Sequence, residues 1–162
     1  SGYFRQQKIE PRRHRPQGVR SKASENLESR ILNLDMTEKK IQSFTDLNAW
    51  KESHKFVLLI YKKTTSFPKE EVFGITNQIR RAAVSIVSNI AEGFGRQSYK
   101  EKVQFYSIAQ GSNLEIQSQM LVARDLQFLK ENDFQEIADQ SIVVGKLLSG
   151  LIRTTKSYSA KI

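Results

Sequence analysis

Apolar residues recur at helical spacing from residue 44 to about residue 155, which predicts helices and no strands. The second predicted helix has the clearest pattern, with apolar side chains three or four positions apart at Val72, Ile75, Ile79, Ala82, Ile86 and Ile90. A stripe of this kind packs against other helices. The predicted helices span residues 45–65, 69–92, 98–129 and 132–155. Because the connections between them are short, we predict an all-α fold, an antiparallel up-down-up-down four-helix bundle.

Local signals predict where these helices begin and end. Thr45 is the expected N-cap of the first helix. Ser98, with Glu101 three residues later, has the sequence of a capping box at the start of the third helix. Pro68 turns the chain before the second helix, and the segment Gly93–Gly95 is expected to end it.

The region before this pattern is interpreted as a basic, disordered extension. We divide the chain into this extension (1–43), the bundle (44–156) and a tail (157–162). Residues 1–35 carry eight Lys or Arg and four acids, a net charge of +4, with too few apolar residues to offset the entropy of ordering. Two interpretations stay open: a disordered or added segment, or an arm that orders on nucleic acid through Arg12, Arg13 and Arg15. If Met36 is the native initiator, everything before it is an extension.

The composition narrows the classes of function. The 162-residue chain has a net charge of +9, which favours an anionic partner such as RNA or DNA. It has no cysteine, which excludes a disulfide framework, a thiolate zinc site and a Cys nucleophile, and which fits a cytoplasmic protein. The longest apolar run, Phe56–Tyr61, is far shorter than the roughly 20 residues that a membrane span needs, so we expect no membrane association.

No sequence motif predicts catalysis, a cofactor or a metal site. The chain has two histidines, and His54 follows Lys51 at the spacing where a di-iron bundle would require Glu. Phosphate-binding loops, the dinucleotide-binding glycine pattern and the nucleophile elbow are absent, and we expect no serine to have a histidine placed to activate it. We therefore expect a protein without enzymatic activity, cofactor or bound metal.

Polar residues on the second predicted helix form a stripe beside its apolar stripe. This polar stripe consists of Gln78, Arg81, Ser85, Asn89 and Glu92. Arg81 and Glu92 lie about 16 Å apart along a helix, so each needs a partner elsewhere. Glu115 on the third helix is the expected partner of Arg81. Three roles stay open for these residues: a network that fixes helix register, a ligand or nucleic-acid contact, and a subunit contact.

Basic residues near the predicted helix ends are the candidates for phosphate contacts. In the bundle they are Lys62, Lys63, Arg96, Lys100, Lys102 and Arg124. Lys62 and Lys63 close the first helix, whereas the group from Arg96 to Lys102 lies at the start of the third. An antiparallel bundle puts these two groups at opposite ends. Binding through them would have weak sequence preference and would weaken steeply with salt.

Four segments resemble the signature of the 23S rRNA-intervening-sequence proteins, a family of four-helix-bundle proteins. The resemblance covers about residues 44–155, and the matching residues are Phe44, Leu47 and Trp50, then Phe67, Pro68, Glu71, Phe73 and Gly74, then the stretch Gln78–Gly93, and finally Phe105, Ile108, Ala109, Gly111, Ser112 and Glu115. Val87 stands where the family commonly has Pro, so we expect a less kinked second helix.

The resemblance implies an antiparallel four-helix bundle from a bacterial genome, with no established enzymatic activity. It also implies a relation to the accessory proteins of diversity-generating retroelements, which form basic pentamers that bind nucleic acid and a reverse transcriptase. We therefore expect a homo-oligomer, in particular a pentamer, that binds nucleic acid. The alternative is a protein-interaction scaffold or reverse-transcriptase accessory subunit. Four residues expected outside the core stripe also favour an oligomer, namely Phe73, Val84, Phe94 and Phe105.

Overall fold

The computed structural model describes residues 41–159, and this part of the chain contains helices and no strand. Its four α-helices are α1 (Asn48–Lys63), α2 (Ile75–Gly95), α3 (Tyr99–Asp125) and α4 (Glu131–Ser159). A short 3-10 turn, Phe44–Asp46, precedes α1, and two more, Thr64–Ser66 and Lys69–Val72, connect α1 to α2. The predictions for the N-terminal arm, including Arg12, Arg13 and Arg15, lie outside the described residues.

The four helices form a closed bundle. Each helix packs on its neighbours in the chain, and α1 also packs on α4. Lys63 at the end of α1 contacts Asp133 at the start of α4, whereas Glu52 near the start of α1 contacts Gln140 further along α4. These helices therefore run antiparallel. The predicted antiparallel up-down-up-down four-helix bundle is confirmed.

One apolar core lies between the helices. Phe56 of α1, Ile86 of α2, Met120 of α3 and Phe134 of α4 are all completely buried. Burial of each such side chain contributes about 1.5–3 kcal/mol. The predicted apolar stripe of α2 is buried from Ile79 onward, which confirms that part of the pattern, whereas three other buried stripes complete the core from the facing helices.

The start of the first helix differs from the prediction. Ser43, and not Thr45, acts as a cap: its hydroxyl accepts a hydrogen bond from the Thr45 amide at 3.3 Å. The Asp46 carboxylate in turn accepts one from the Ser43 amide at 3.0 Å. This reciprocal capping stabilises the 3-10 turn, and α1 begins only after it, at Asn48.

The second helix begins and ends later than predicted. Gly74 has φ −96° and ψ −126°, which is not helical, and it separates the turn Lys69–Val72 from α2. The Glu71 carboxylate accepts a hydrogen bond from the Ile75 amide at 3.2 Å and so caps the new start. Gly93 is still helical, and the helix ends at Gly95, within the segment Gly93–Gly95 that was predicted to end it. Gly93 is instead buried against Tyr106 of α3.

The third and fourth helices also differ from the prediction at their ends. The Ser98 side chain makes no capping hydrogen bond within the described region, so the predicted capping box is absent. α3 ends at Asp125 because Gln127 adopts a left-handed backbone, with φ 62°, and the Phe128 amide then donates to the Ala123 carbonyl at 2.9 Å. α4 continues past the predicted end to Ser159, so residues 157–159 of the predicted tail are helical.

Candidate nucleic-acid interface

Lys63, one of the two basic residues predicted to close the first helix, is committed to a structural ion pair. Its ammonium group bridges two acids of α4, Asp133 and Glu136, the latter at 2.6 Å. The hydrogen bonds to Asp133 and then to Glu136 raise the pKa of Lys63 above its ordinary value. Lys63 therefore joins α1 to α4. The two carboxylates offset its positive charge and would repel a phosphate group. Lys62 beside it is exposed.

The group at the start of the third helix is also partly committed. Lys102 donates to the Phe94 carbonyl at 2.6 Å, at the end of α2, where a cation interacts favourably with the helix dipole. Burial lowers the pKa of Lys102. Arg96 pairs with Glu92 and lies 4.5 Å from the ring centroid of Phe105. Of this group, Lys100 is exposed and forms no ion pair within residues 41–159.

Arg124 stabilises the junction between α3 and α4. Its side chain donates to Asp125 at 2.9 Å, and its guanidinium lies 4.8 Å from the ring centroid of buried Phe134. A cation above an aromatic face contributes about 0.5–2 kcal/mol. Arg124 is thus bound within the fold by Asp125 and Phe134, and its contact with phosphate stays a prediction.

Two exposed cations that were not predicted as contacts, Arg153 and Lys156, lie in the last turns of α4. Helix α4 runs longer than predicted, and its end lies beside the start of α3, where Tyr158 and Tyr99 stack with ring centroids 6.0 Å apart. Arg153 and Lys156 therefore lie at the same end of the bundle as Lys100. The helical spacing of residues 152–159 could have indicated this extension of α4. The prediction instead assigned residues 157–159 to a tail.

Charge is distributed unequally between the two ends of the bundle. We call the end formed by residues 92–103 and 152–159 the basic end. Its charged residues are Arg96, Lys100, Lys102, Arg153 and Lys156, with the acids Glu92 and Glu101. The opposite end, formed by residues 62–71 and 124–139, is called the acidic end. Its charged residues are Lys62, Lys63, Lys69, Arg124 and Lys130, with the acids Glu70, Glu71, Asp125, Glu131, Asp133, Glu136 and Asp139. The predicted basic groups do lie at opposite ends. Arg80 of α2 also lies at the acidic end, against Thr64 and Tyr61, so seven acids there stand against six bases, whereas two acids stand against five bases at the basic end.

The polar stripe of α2 divides into separate contacts. Ser85 bonds to Ser112 of α3 through their hydroxyl groups at 2.9 Å, and Asn89 donates to the Ser85 carbonyl at 2.8 Å. These residues lie at the interface between α2 and α3, as a register-fixing network requires. Glu92 belongs instead to the ion pair with Arg96.

The predicted pair of Arg81 and Glu115 does not form within the described part of the chain. The Glu115 carboxylate accepts a hydrogen bond from Gln119 at 2.9 Å, and Gln119 also reaches Gln78 at 3.4 Å. Arg81 is exposed. Arg81 lies on the side of α2 that faces solvent. Gln119 of α3, and not Arg81, lies between α2 and the Glu115 carboxylate.

A second polar network, between α3 and α4, was not predicted. Ser141 donates to the side-chain oxygen of Asn113 at 3.1 Å, and Gln117 donates to the Ser141 hydroxyl at 2.7 Å. Asn113 is completely buried. A sequence signal existed, because Asn113 interrupts the buried stripe that includes Ala109 and Ile116.

An open groove with both apolar and polar lining lies on the outer face of α2 and the turn before it. It has a volume of about 650 Å³, and the residues lining it are Tyr61, Val72, Phe73, Asn77, Arg80, Arg81, Val84, Ser85 and Ser88. Phe73 is 92% exposed, and Val84 is also exposed, as predicted. Phe94 and Phe105 are only partly exposed, contrary to the prediction, because Lys102 and Arg96 lie over their rings.

Residues 41–159 lack two features of other functional classes, a metal-binding group and a membrane-spanning helix. This region contains no group of three His, Asp or Glu side chains arranged to hold a metal ion. His54 stacks on Trp50 with ring centroids 5.1 Å apart, on the outside of α1. None of the helices in this region has the length and apolar character needed to cross a membrane.

The fold and its two polar networks define an antiparallel four-helix bundle with one basic end. The chain belongs to the 23S rRNA-intervening sequence protein family, whose model matches residues 45–150. A similar solved structure is a protein of unknown function from the S23 ribosomal protein family of Bacteroides thetaiotaomicron. That structure has 23% sequence identity and a TM-score of 0.61, over 65% of this chain and 95% of the other, a likeness that shows the fold alone. No curated protein matches the chain.

Proposed function

We propose that this protein is a non-enzymatic, cytoplasmic homo-oligomer that binds RNA or DNA mainly through phosphate groups. The observation that carries the proposal is the basic end of the bundle. Three of its cations, Lys100, Arg153 and Lys156, are exposed and form no ion pair within residues 41–159. Free Lys and Arg side chains bind phosphate and position the nucleic acid without reading its bases. The family name, which refers to an intervening sequence of 23S rRNA, is consistent with a nucleic-acid partner.

The acidic end supports the same proposal by contrast. Its acids would repel phosphate, and Lys63 and Arg124 are already bound to carboxylates there. We therefore propose that the nucleic acid contacts the basic end and not both ends. This revises the set of contact residues: Lys100 is retained, Arg153 and Lys156 are added, and Lys62 and Lys63 are removed.

The outer groove of α2 supports the homo-oligomeric part of the proposal. A phenylalanine that is 92% exposed, beside Val72 and Val84, forms an apolar surface of the kind that marks interfaces. A pentamer is the expected state, by resemblance to the retroelement accessory proteins. A ring with rotational symmetry would present one basic end per copy and so strengthen binding to a continuous strand.

The alternative function is a protein-interaction scaffold, such as an accessory subunit of a reverse transcriptase. The same groove favours it, because a surface that includes Phe73, Tyr61 and Arg81 fits a protein partner as well as another copy. The two functions differ in the surface that makes the binding contacts. Nucleic-acid binding depends on the basic end, whereas a scaffold depends on the groove.

The test measures fluorescence anisotropy of labelled RNA and DNA of one sequence across a salt series. In the test variant, Lys100, Arg153 and Lys156 are all replaced by Gln. In the matched control, Lys62, Lys69 and Lys130, three exposed lysines of the acidic end, are replaced by Gln. We expect the test variant alone to bind more weakly, with the slope of log K against log salt reduced by about 2–3. A protein that starts at Met36 isolates the contribution of residues 1–35.

Two results would contradict the proposal. Absence of binding to both nucleic acids at low salt would exclude it and favour the scaffold. An equal loss of affinity in both triple variants would mean that net charge alone, and not the basic end, determines binding.

A further inference from the structure

Two tyrosines, one exposed and one partly buried, form a pair at the basic end. Tyr99 is the first residue of α3 and Tyr158 lies in the last turn of α4. Their ring centroids are 6.0 Å apart and their planes differ by 22°, which is a stacked arrangement. Tyr158 is 52% exposed, and neither ring is part of the hydrophobic core. One face of the Tyr158 ring is therefore covered by Tyr99, and much of the rest contacts solvent.

Uncommitted lysines flank this pair. A shallow groove of about 340 Å³ lies beside it, lined by Tyr99, Lys100, Val103, Lys156 and Ser159. The lysines of the groove come from two helices, one from the first turn of α3 and one from the end of α4. Neither lysine forms an ion pair or lies over an aromatic ring within the described residues.

The lysines beside Tyr99 and Tyr158 do not cover these rings. In four other places within residues 41–159 a cation does lie over an aromatic ring, in the pairs Arg80–Tyr61, Arg96–Phe105, Lys102–Phe94 and Arg124–Phe134. In those pairs both the charge and the ring face are already used within the fold. At Tyr99 and Tyr158 both remain available, so the site offers a π-face and two positive charges to a ligand at once.

We propose that this surface binds single-stranded nucleic acid, with a base stacked on Tyr158 and the adjoining phosphates bound by Lys100 and Lys156. An exposed aromatic face accepts any base, and nearby cations follow the backbone, which together are typical of sequence-tolerant single-strand binding. The internal bases of a duplex cannot use the tyrosine in this way because they are stacked inside the helix, so the duplex probe is closed by a hairpin loop without bases at each end. The inference rests on the proposed function, and it adds that the bound strand is single and that Tyr158 contacts a base.

The experiment uses a labelled oligouridylate and a labelled RNA duplex, both of about 12 nucleotides per strand, which is within the usual size of a single-strand site. Tyr158→Ala is expected to weaken binding to the single strand by about 10-fold, the loss of one stacked base, with no change in duplex binding or in the salt slope. Tyr158→Phe retains the ring and is expected to bind like the wild type. Lys100→Gln combined with Lys156→Gln should weaken binding to both ligands, whereas Lys69→Gln combined with Lys130→Gln should weaken neither.

A second variant gives a readout that does not depend on affinity. In Tyr158→Trp, stacking of a base should quench the new indole fluorescence on titration with oligouridylate, whereas the duplex should leave it unchanged. Wild-type protein that binds the single strand, with Tyr158→Ala binding equally well and no quenching in Tyr158→Trp, would overturn this inference but leave the proposed function intact. Wild-type protein that binds neither ligand, and neither single-stranded nor duplex DNA of the same length, would overturn both.

Discussion

Asn113 on α3 and Ser141 on α4 exchange two hydrogen bonds at the centre of the bundle. The Ser141 hydroxyl donates to the Asn113 side-chain oxygen at 3.1 Å, and the Asn113 side-chain nitrogen donates to the Ser141 carbonyl at 3.1 Å. Both residues are at least 99% buried. Buried polar groups are costly unless they are paired, so only one alignment of α3 against α4 satisfies both side chains. This pair therefore fixes the register of two helices that apolar contacts alone would allow to slide.

The first prediction is that Asn113 and Ser141 stabilise the bundle as a unit. We expect Asn113→Ala and Ser141→Ala each to lower the free energy of unfolding by about 1–3 kcal/mol, because each leaves a buried partner unsatisfied. The double variant should lose less than the sum of the two. Urea denaturation followed by circular dichroism measures all three. Ser107→Ala is the matched control, since the exposed Ser107 hydroxyl bonds only to Val103 of its own helix. Additive losses would contradict the coupling.

The second prediction concerns the close approach of α2 and α3 at Gly93. A Cβ at this position would lie 2.7 Å from Cε1 of Tyr106 and 3.0 Å from Cβ of Phe105. Because Tyr106 is buried and cannot move freely, we expect Gly93→Ala to destabilise the protein by about 1–3 kcal/mol. Gly150→Ala is the control, since a Cβ there meets nothing within 4 Å. It should be neutral or stabilising by up to about 1 kcal/mol. Equal melting temperatures for both variants would contradict the packing argument.

The sequence predicts the buried stripe of α2 because burial depends on spacing within one helix, and spacing is visible in the chain. It does not predict what happens to the cations. Lys63 is a free cation by every local criterion, yet it pairs with Asp133, seventy positions away, because the fold brings the end of α1 to the start of α4. The position of Arg153 at the basic end could not be predicted for the same reason. Its proximity to Lys100 depends on the length and direction of α4, which the apolar pattern defines only approximately.

The ends of helices are also difficult to predict from the sequence, and Ser98 shows the reason. Its spacing from Glu101 fits a capping box, but the geometry of the tight α2–α3 turn does not bring its hydroxyl to the α3 amides. At Gly93 the sequence indicated a helix end, whereas the glycine is needed for packing against Tyr106. A serine before a helix can cap it or remain uncapped, and a glycine near a helix end can end the helix or allow close packing. The sequence pattern is the same in each case, and only the tertiary contacts show which role the residue has.

The third prediction is a pH dependence at Lys63. Its hydrogen bonds to Asp133 and Glu136 raise its pKa above the ordinary value of 10.5. The unfolded chain therefore loses this proton at lower pH than the folded protein. The stabilising contribution is fully present below pH 10.5 and is lost as the pH rises through the raised value. We expect Lys63→Gln to be less stable than the wild type at neutral pH, and the difference to shrink above that range.

Thermal melts of both proteins from neutral to strongly alkaline pH measure this difference directly. Lys62→Gln is the neighbouring control and should follow the wild-type curve, because Lys62 is exposed. A constant difference between Lys63→Gln and wild type at all pH values would mean that Lys63 stabilises the bundle by packing of its aliphatic chain and not by charge.

The fourth prediction distinguishes the adjacent arginines Arg80 and Arg81. Arg80 donates to the Thr64 hydroxyl at 2.8 Å and lies 5.0 Å from the ring centroid of Tyr61, so it joins α2 to the end of α1. We expect Arg80→Ala to lower the free energy of unfolding by about 1.5–3 kcal/mol, the range for hydrogen bonds to charged groups. Arg81→Ala should change it by less than about 0.5 kcal/mol, as for other surface substitutions. A large loss of stability at Arg81 would mean that it has a structural partner.

The last prediction concerns assembly through the groove at Phe73. Phe73, at the junction before α2, is 92% exposed, and contact of an apolar side chain with water is unfavourable, so covering it with another surface lowers the free energy. We expect Phe73→Asp to shift the protein to a lower mass in light scattering while its melting temperature at low concentration stays unchanged, because Phe73 contributes almost nothing to the core. Leu58→Asp is the matched control, since Leu58 is 58% exposed on α1 and does not line the groove. It should retain the wild-type mass. A monomeric wild-type protein would contradict the proposed oligomer itself. A wild-type oligomer that Phe73→Asp leaves intact would contradict only this interface and would make the groove free for a different protein partner.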